Sequence, residues 1–345
     1  GTEGWARSHS LDLLDQWREM EANGGKPWPF RINIDLSKLL DRALKGLRDE
    51  TTAHHRLEAL CEHLYRLRAE VSPRQWKSIG ALCRAHPIFP VLLSEPITSR
   101  GFAKPRGYAG DAKLMDLIYS VQPAAGLTRE SGLVHSFLKG RPSLRGARAR
   151  KLKLAALLHR TLDEVESPEI LSVACGHMRE SQLLSPSRLN RAKRFVALDQ
   201  DEQSLHEVSR SMSECPALSI VPGSIRRLIA GREELGEFDL IYSLGLYDYL
   251  EQPVAARLTQ VLFDSLKPGG RLVIANYLPV QDSAYMETFM EWNLIYRTPE
   301  EILEMASDVH MNQVSEKRYT EEHSGTIGTS GWSSEKPGKV SGENL

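Results

Sequence analysis

Residues 169–201, EILSVACGHMRESQLLSPSRLNRAKRFVALDQD, decide the fold. A short apolar run, Ile170 to Ala174, breaks at a Cys-Gly turn, and a second run, Arg194 to Leu198, ends in Asp199. Short β-rich runs bounded by turn residues and alternating with helical stretches have the rhythm of a parallel α/β sheet. Working outward, Leu218 to Val221, Phe238 to Tyr242 and Arg271 to Ala275 repeat the pattern. Five such units predict a Rossmann-like, doubly wound, mostly parallel sheet. The segment MNQVSEKRYTEEHSGTIGTSGW (311–332) offers a closing antiparallel pair, but its second half is rich in Gly, Ser and Thr, so the last strand stays open.

Upstream the period changes to that of helices. Leu39, Leu40, Leu44 and Leu47, then Leu57, Leu60, Leu64 and Leu67, recur at helical spacing with charges between them. Further helices are expected over Trp76 to Leu93, Leu114 to Val121 and Leu133 to Leu162, with a turn-rich loop, GFAKPRGYAGD, at 101–111. The expected division is a helical N-terminal or cap domain (1–163), a sheet domain (164–323) and a C-terminal tail (324–345). The opening Gly1 and the closing, tag-like SGENL are set aside.

Composition narrows the function classes. The 345 residues are 41% hydrophobic, with Lys+Arg 44 against Asp+Glu 45, so no electrostatic footprint for nucleic acid is present. The basic stretch RPSLRGARARKLK (141–153) lacks interleaved aromatics and reads as a solvated helical face. No apolar run nears the roughly 18 residues of a membrane span, and GTEGWARSHS has no signal-peptide layout; the cytoplasm is the expected location. Cys61, Cys83, Cys175 and Cys215 are scattered, so buried free thiols are expected, with neither a disulfide framework nor a metal site.

In a doubly wound sheet ligands bind beyond the carboxyl ends of the strands. There the first turn carries Gly176, which lets backbone approach a ligand, followed by a helix N-terminus with free N–H groups. The second strand ends in Asp199, placed to accept hydrogen bonds from two ribose hydroxyls or to cap a helix. A dinucleotide needs G-x-G-x-x-G to seat its pyrophosphate. Here His177, Met178 and Arg179 follow Gly176 and would crowd it, so S-adenosylmethionine fits better than NAD.

LSVACGHMRES, FVALDQD, VPGSIRRL, FDLIYSLGLYDYLEQPVAARL, LKPGGRLVIANYLP and MEWNLIYRTPEEI together resemble class I S-adenosylmethionine-dependent methyltransferases. The ACG..RE turn, GLYDYL, WNLIYR and the KPRGYAGD loop resemble more narrowly the bacterial family that includes quorum-signal synthases making 3-hydroxy fatty acid methyl esters. The resemblance runs from about Phe102 to Thr320. It implies a biosynthetic methyltransferase acting on a small-molecule acceptor, a hydroxy fatty acid carboxylate by analogy.

Carried onto this chain, the resemblance implies that Ala174, Cys175 and Gly176 face the methionine part of the cofactor. Asp199 and Gln200 would face the ribose, Gly223, Ser224 and Ile225 the adenine, and Ser243 and Leu244 the sulfonium. Glu180 either holds the cofactor's amino group or pairs with Arg179. Asp248, Tyr247 and His177 are the candidate catalytic groups, needed only if the acceptor must lose a proton. Arg106 and Tyr108 in the loop, with Tyr285, Trp292 and Tyr296, are candidates for the acceptor pocket; core packing is the competing reading for Trp292. Natural-product tailoring by C-, N- or O-methylation or ring-forming alkylation, and a non-catalytic cofactor-binding partner, remain alternatives. Oligomeric state and any pathway partner enzyme are not read from the sequence.

Overall fold

A computed structural model describes residues 30–122, 124–233, 235–306, 309, 314–321 and 327–334. Its centre is a seven-stranded sheet in the order β3-β2-β1-β4-β5-β7-β6. β1 (Glu169–Val173), β2 (Arg194–Asp199), β3 (Leu218–Pro222), β4 (Phe238–Ser243) and β5 (Leu266–Tyr277) run parallel. β7 (Ile327–Ser334) is antiparallel to β5, and β6 (Val314–Glu321) is antiparallel to β7. Successive strands are laid down in one direction from β1 to β3 and in the other from β4 to β5, so the switch point lies between β1 and β4 and puts the ligand crevice above their carboxyl ends.

All five expected strands form, the first four within a residue or two; β1, β2 and β4 are almost wholly buried and therefore read as continuous apolar runs, whereas β3 at the sheet edge is only half-buried. β5 is longer than expected. Phe238 pairs with Leu266 and Leu240 with Arg271, so Lys267 to Gly270 loop out as a bulge. A side chain at Gly270 would press on the Phe238 carbonyl at 2.7 Å, which is why glycine stands there.

Three expectations are corrected. Residues 327–334, read as part of a tail, pair with β5 from Tyr277↔Ile327 to Arg271↔Ser333. Backbone pairing needs no apolar sequence, and the ladder covers an otherwise exposed edge of β5, while Trp332, 1% exposed, is buried in the core beside the sheet. Residues 335–345, the rest of that tail, lie outside the described residues. After Gly176 no long helix begins: the chain makes a 3-10 turn, Ser181–Leu183, then a four-residue helix, Pro186–Leu189. Finally, the basic stretch is not a uniformly solvated face, since Arg141 and Arg150 are buried.

The helical region packs around its own core, which includes Leu36, Leu57, Ile79, Leu92 and Val134. Helix starts are specified by sequence: Asp49, Ser72, Asp111 and Thr128 each accept a backbone N–H at an N-terminus. The long helical stretch expected over 133–162 breaks at Arg141, where Pro142 opens helix Pro142–Glu164. A segment after β5, including helix Ser283–Phe289, adds Tyr285, Met286, Phe289 and Trp292 to this core rather than to the sheet. The chain therefore crosses between the two units three times, the last time when it returns to the sheet core at Ile302. No helix among the described residues is long and apolar enough to cross a membrane.

Candidate active site

A cavity of about 1050 Å³ opens above the carboxyl ends of β1, β2 and β4. Its floor is the turns after these strands; its roof is the loop around Arg106 to Gly110 and helix Ala112–Tyr119.

The turn after β1 is tight. Ala174, Gly176 and Met178 all have left-handed backbone, with φ of 51°, 54° and 48°. Asp199 holds it in place: Oδ2 accepts from Gly176 N–H at 2.8 Å and Oδ1 from Asp201 N–H at 2.9 Å. Its own carbonyl accepts from Gly223 N–H at 2.9 Å, so one residue links the turns after β1, β2 and β3. Asp199 is 7% exposed, and burial raises its carboxyl above the ordinary range despite these hydrogen bonds. Each of its oxygens keeps a second acceptor position, as a ribose diol requires.

Glu180 does not pair with Arg179. Arg179 turns outward onto Asp116, at 2.7 and 2.8 Å, and onto Glu207 at 2.9 Å. Glu180 is 5% exposed, accepts from the Tyr242 hydroxyl at 2.9 Å and lines the cavity; burial raises its carboxyl.

The roof is tied to the floor by ions. Arg106 Nη1 donates to Asp201 at 2.8 Å and to Ser204 at 3.1 Å, and lies 3.3 Å from His177 Nε2. His177 Nδ1 lies 2.9 Å from Asp116, a residue of the roof helix. With Nδ1–H donating to Asp116, Nε2 accepts from Arg106, so both ring nitrogens are engaged. Burial works to raise the Asp116 carboxyl, yet Arg179 and His177 hold it well below the ordinary range.

Of the remaining expected residues, Cys175, Gln200, Gly223, Ser224, Ile225, Leu244 and Tyr108 line the cavity. Ser243 does not; its hydroxyl is fully buried and donates to Val173 O. Asp248 and Tyr247, expected as catalytic groups, also lie outside the lining. Asp248 Oδ1 accepts from Tyr277 N–H at 2.7 Å, and the Tyr247 hydroxyl is 3.0 Å from Thr259 Oγ1. Burial pushes the Asp248 carboxyl up to about 6. Tyr285 bonds Thr98 within the helical core, Trp292 donates to the Tyr249 hydroxyl, and Tyr296 packs near Tyr277; none of the three lines the cavity. These aromatics follow β5 in sequence but pack behind the wall rather than forming its face.

Sequence reading missed Asp116, Tyr119, Arg150 and Tyr242, all of which line the cavity. The first three sit on helices of the N-terminal region, and nothing local distinguishes them from surface charges and core aromatics.

Residues 170–270 match the family model described as a methyltransferase domain. The chain carries a methyltransferase domain. Its cofactor is S-adenosylmethionine, and the residues fit it: a carboxylate for the ribose, a glycine turn, and a buried acid for the amino group. No curated protein matches the chain. Among solved structures, the chain is similar to a protein from Bordetella parapertussis named as a possible exported protein. That likeness has 18% identity and a TM-score of 0.55, over 88% of this chain and 96% of that one. It is a likeness of fold that extends beyond the methyltransferase domain into the helical region. The N-methyltransferase NodS from Bradyrhizobium japonicum is similar at 15% identity and TM-score 0.40, over 54% of this chain and 96% of that one. Magnesium protoporphyrin IX methyltransferase from Synechocystis, solved with S-adenosylhomocysteine, is similar at 10% identity and TM-score 0.46, over 68% and 97%.

Proposed function

We propose that the chain methylates a small-molecule acid in the cytoplasm, with a hydroxy fatty acid carboxylate as the acceptor class. In this reading Asp199 and Gln200 hold the ribose, Gly223 to Ile225 border the adenine, and Glu180 takes the amino group. Residues 1–163 act as the domain that covers and selects the acceptor, through Arg106 and Tyr108. The cofactor supplies an electrophilic methyl carbon on a sulfonium.

The observation that carries the choice of acceptor is where the candidate bases sit. Asp248 and Tyr247 are tied up outside the cavity wall, and both His177 nitrogens are engaged by Asp116 and Arg106. A carboxylate is already nucleophilic and needs no base. With the donor held by Asp199, Glu180 and the turn after β1, a carboxylate oxygen would take the methyl group directly, giving a methyl ester and S-adenosylhomocysteine with no proton to remove. The protein's part is alignment and exclusion of water by the latched roof.

A second reading, tailoring of an acceptor that must lose a proton, is favoured by the Asp116–His177 pair on the cavity wall. It requires Arg106 to leave His177 when the acceptor enters.

The test begins with calorimetric titration of S-adenosylhomocysteine into wild type and Asp199→Ala. Binding that weakens at least tenfold in the variant supports the cofactor site. Turnover is then followed by S-adenosylhomocysteine release with 3-hydroxy fatty acids and with their amides and alcohols. Turnover of the amides or alcohols but not the acids refutes the carboxylate reading and favours tailoring.

A further inference from the structure

Arg150, in the middle of helix Pro142–Glu164, is 5% exposed and lines the cavity. Its Nη1 donates to Leu244 O at 2.5 Å, and the guanidinium lies 5.9 Å from the centre of the Tyr277 ring. Its Nε–H has no hydrogen-bond partner among the described residues. Nor does any carboxylate among them come within ion-pair distance of it. A buried guanidinium left in that state is expensive, and the chain avoids it elsewhere. Arg141, equally buried, is paired with Asp282, and Arg297 gives its donors to Tyr247 O, Leu250 O, Asn276 and Gln252.

Glu180 is the mirror case on the same cavity. It is buried and held by a tyrosine hydroxyl, and its neighbour Arg179 is committed to Asp116 and Glu207. The two charges influence each other without touching. Among the buried charges of the wall, apart from Asp199 at the ribose end, Arg150 and Glu180 thus present a cation and an anion without ion-pair partners, set apart, which is the complement of an amino-acid zwitterion.

Their placement agrees with a cofactor laid across the sheet. Asp199 ends β2, whereas Arg150 and Glu180 are anchored to Leu244 and Tyr242 at the end of β4, with β1 between. At about 4.8 Å per strand the ribose and amino-acid stations stand roughly 10 Å apart.

We propose that Arg150 receives the α-carboxylate of the cofactor's amino-acid end while Glu180 receives its ammonium. This rests on the reading that the cofactor fills this cavity. The pair makes the cavity selective for an amino-acid-bearing nucleoside over one with a plain alkyl or amine chain.

The test compares two ligands by calorimetry. One is S-adenosylhomocysteine; the other is S-adenosyl-3-thiopropylamine, which keeps the adenosine, thioether and amine but lacks the carboxylate. Wild type should bind the decarboxylated ligand about tenfold or more weaker, as loss of a charged hydrogen-bonded pair requires. Arg150→Met should weaken S-adenosylhomocysteine by a similar factor and bind both ligands alike, and Arg150→Lys should restore part of the preference. Equal affinity of wild type for the two ligands overturns the proposal, and that measurement needs no variant to fold. So does an Arg150→Met protein that still prefers the carboxylate, or one that keeps wild-type affinity for both ligands and loses only turnover of acids. Failure of folded wild type to bind S-adenosylhomocysteine at all is the separate result that sinks the cofactor reading itself.

Discussion

Replacing Asp248 by Asn separates a structural carboxylate from a catalytic one. Asp248 is 2% exposed and its carboxyl rises from the ordinary 3.8 to about 6, first through burial, against the opposing Tyr277 N–H, Arg150 and Arg297. At ~1.4 kcal/mol per tenfold change this is about 3 kcal/mol of destabilisation carried by the ionised form. The sign follows from proton uptake. Between about pH 4 and 6 the native state binds the proton more tightly than the unfolded chain, so this group's contribution to stability falls as pH rises, and it is flat above pH 6. An amide keeps an oxygen for Tyr277 N–H and carries no charge. Asp248→Asn should therefore gain stability relative to wild type by up to about 3 kcal/mol between pH 4 and 7.5, read from urea unfolding at both pH values. Turnover should stay within about twofold. A stability difference that does not change with pH refutes the burial argument. A loss of turnover of about 100-fold or more, with the fold intact, refutes the placement of Asp248 outside the chemistry.

Other expectations follow from single contacts. Trp332→Ala should cost about 3 to 5 kcal/mol and lower the melting temperature, because Trp332 is buried in the core beside the sheet; an unchanged melt would mean that β7 does not stabilise the sheet. A side chain at Gly110 would collide with the Tyr249 hydroxyl and crowd the Trp292 ring at 2.9 Å, so Gly110→Ala should cut turnover. Gly107→Ala meets open space and bears only the strain of its +87° φ, so it should be the milder of the two. Arg106→Ala releases the roof from Asp201 and Ser204 and should speed S-adenosylhomocysteine dissociation several-fold in stopped-flow. An unchanged off-rate would mean that the roof does not limit exit.

The strands and the turns after them were legible in the sequence because each is a local property. Apolar runs such as FVALD report burial on both faces, and an acid or a glycine at a strand end is placed by the strand itself. The last pair of strands was half legible: residues 311–332 offered a closing antiparallel pair, but a second half rich in Gly, Ser and Thr left the last strand open, since that strand forms by backbone pairing to an open edge. For Trp292 the core-packing reading holds, while Tyr285 and Asp248 misled for a related reason. Sequence position put them after strands that border the site, but their side chains are drawn into the helical core or onto the β5 backbone.

By itself, then, the sequence determined the sheet, the strand-end turns and the cofactor class, all of which depend on residues close together in the chain. Tertiary structure alone decided the other wall of the cavity. Asp116, Tyr119 and Arg150 come from helices well before β1, and no local pattern separates an arginine bound for a buried cavity from the solvated arginines on the same helix. Only packing, which strips water from Arg150 and Glu180 and leaves them unpaired on one surface, turns ordinary charges into a candidate binding site.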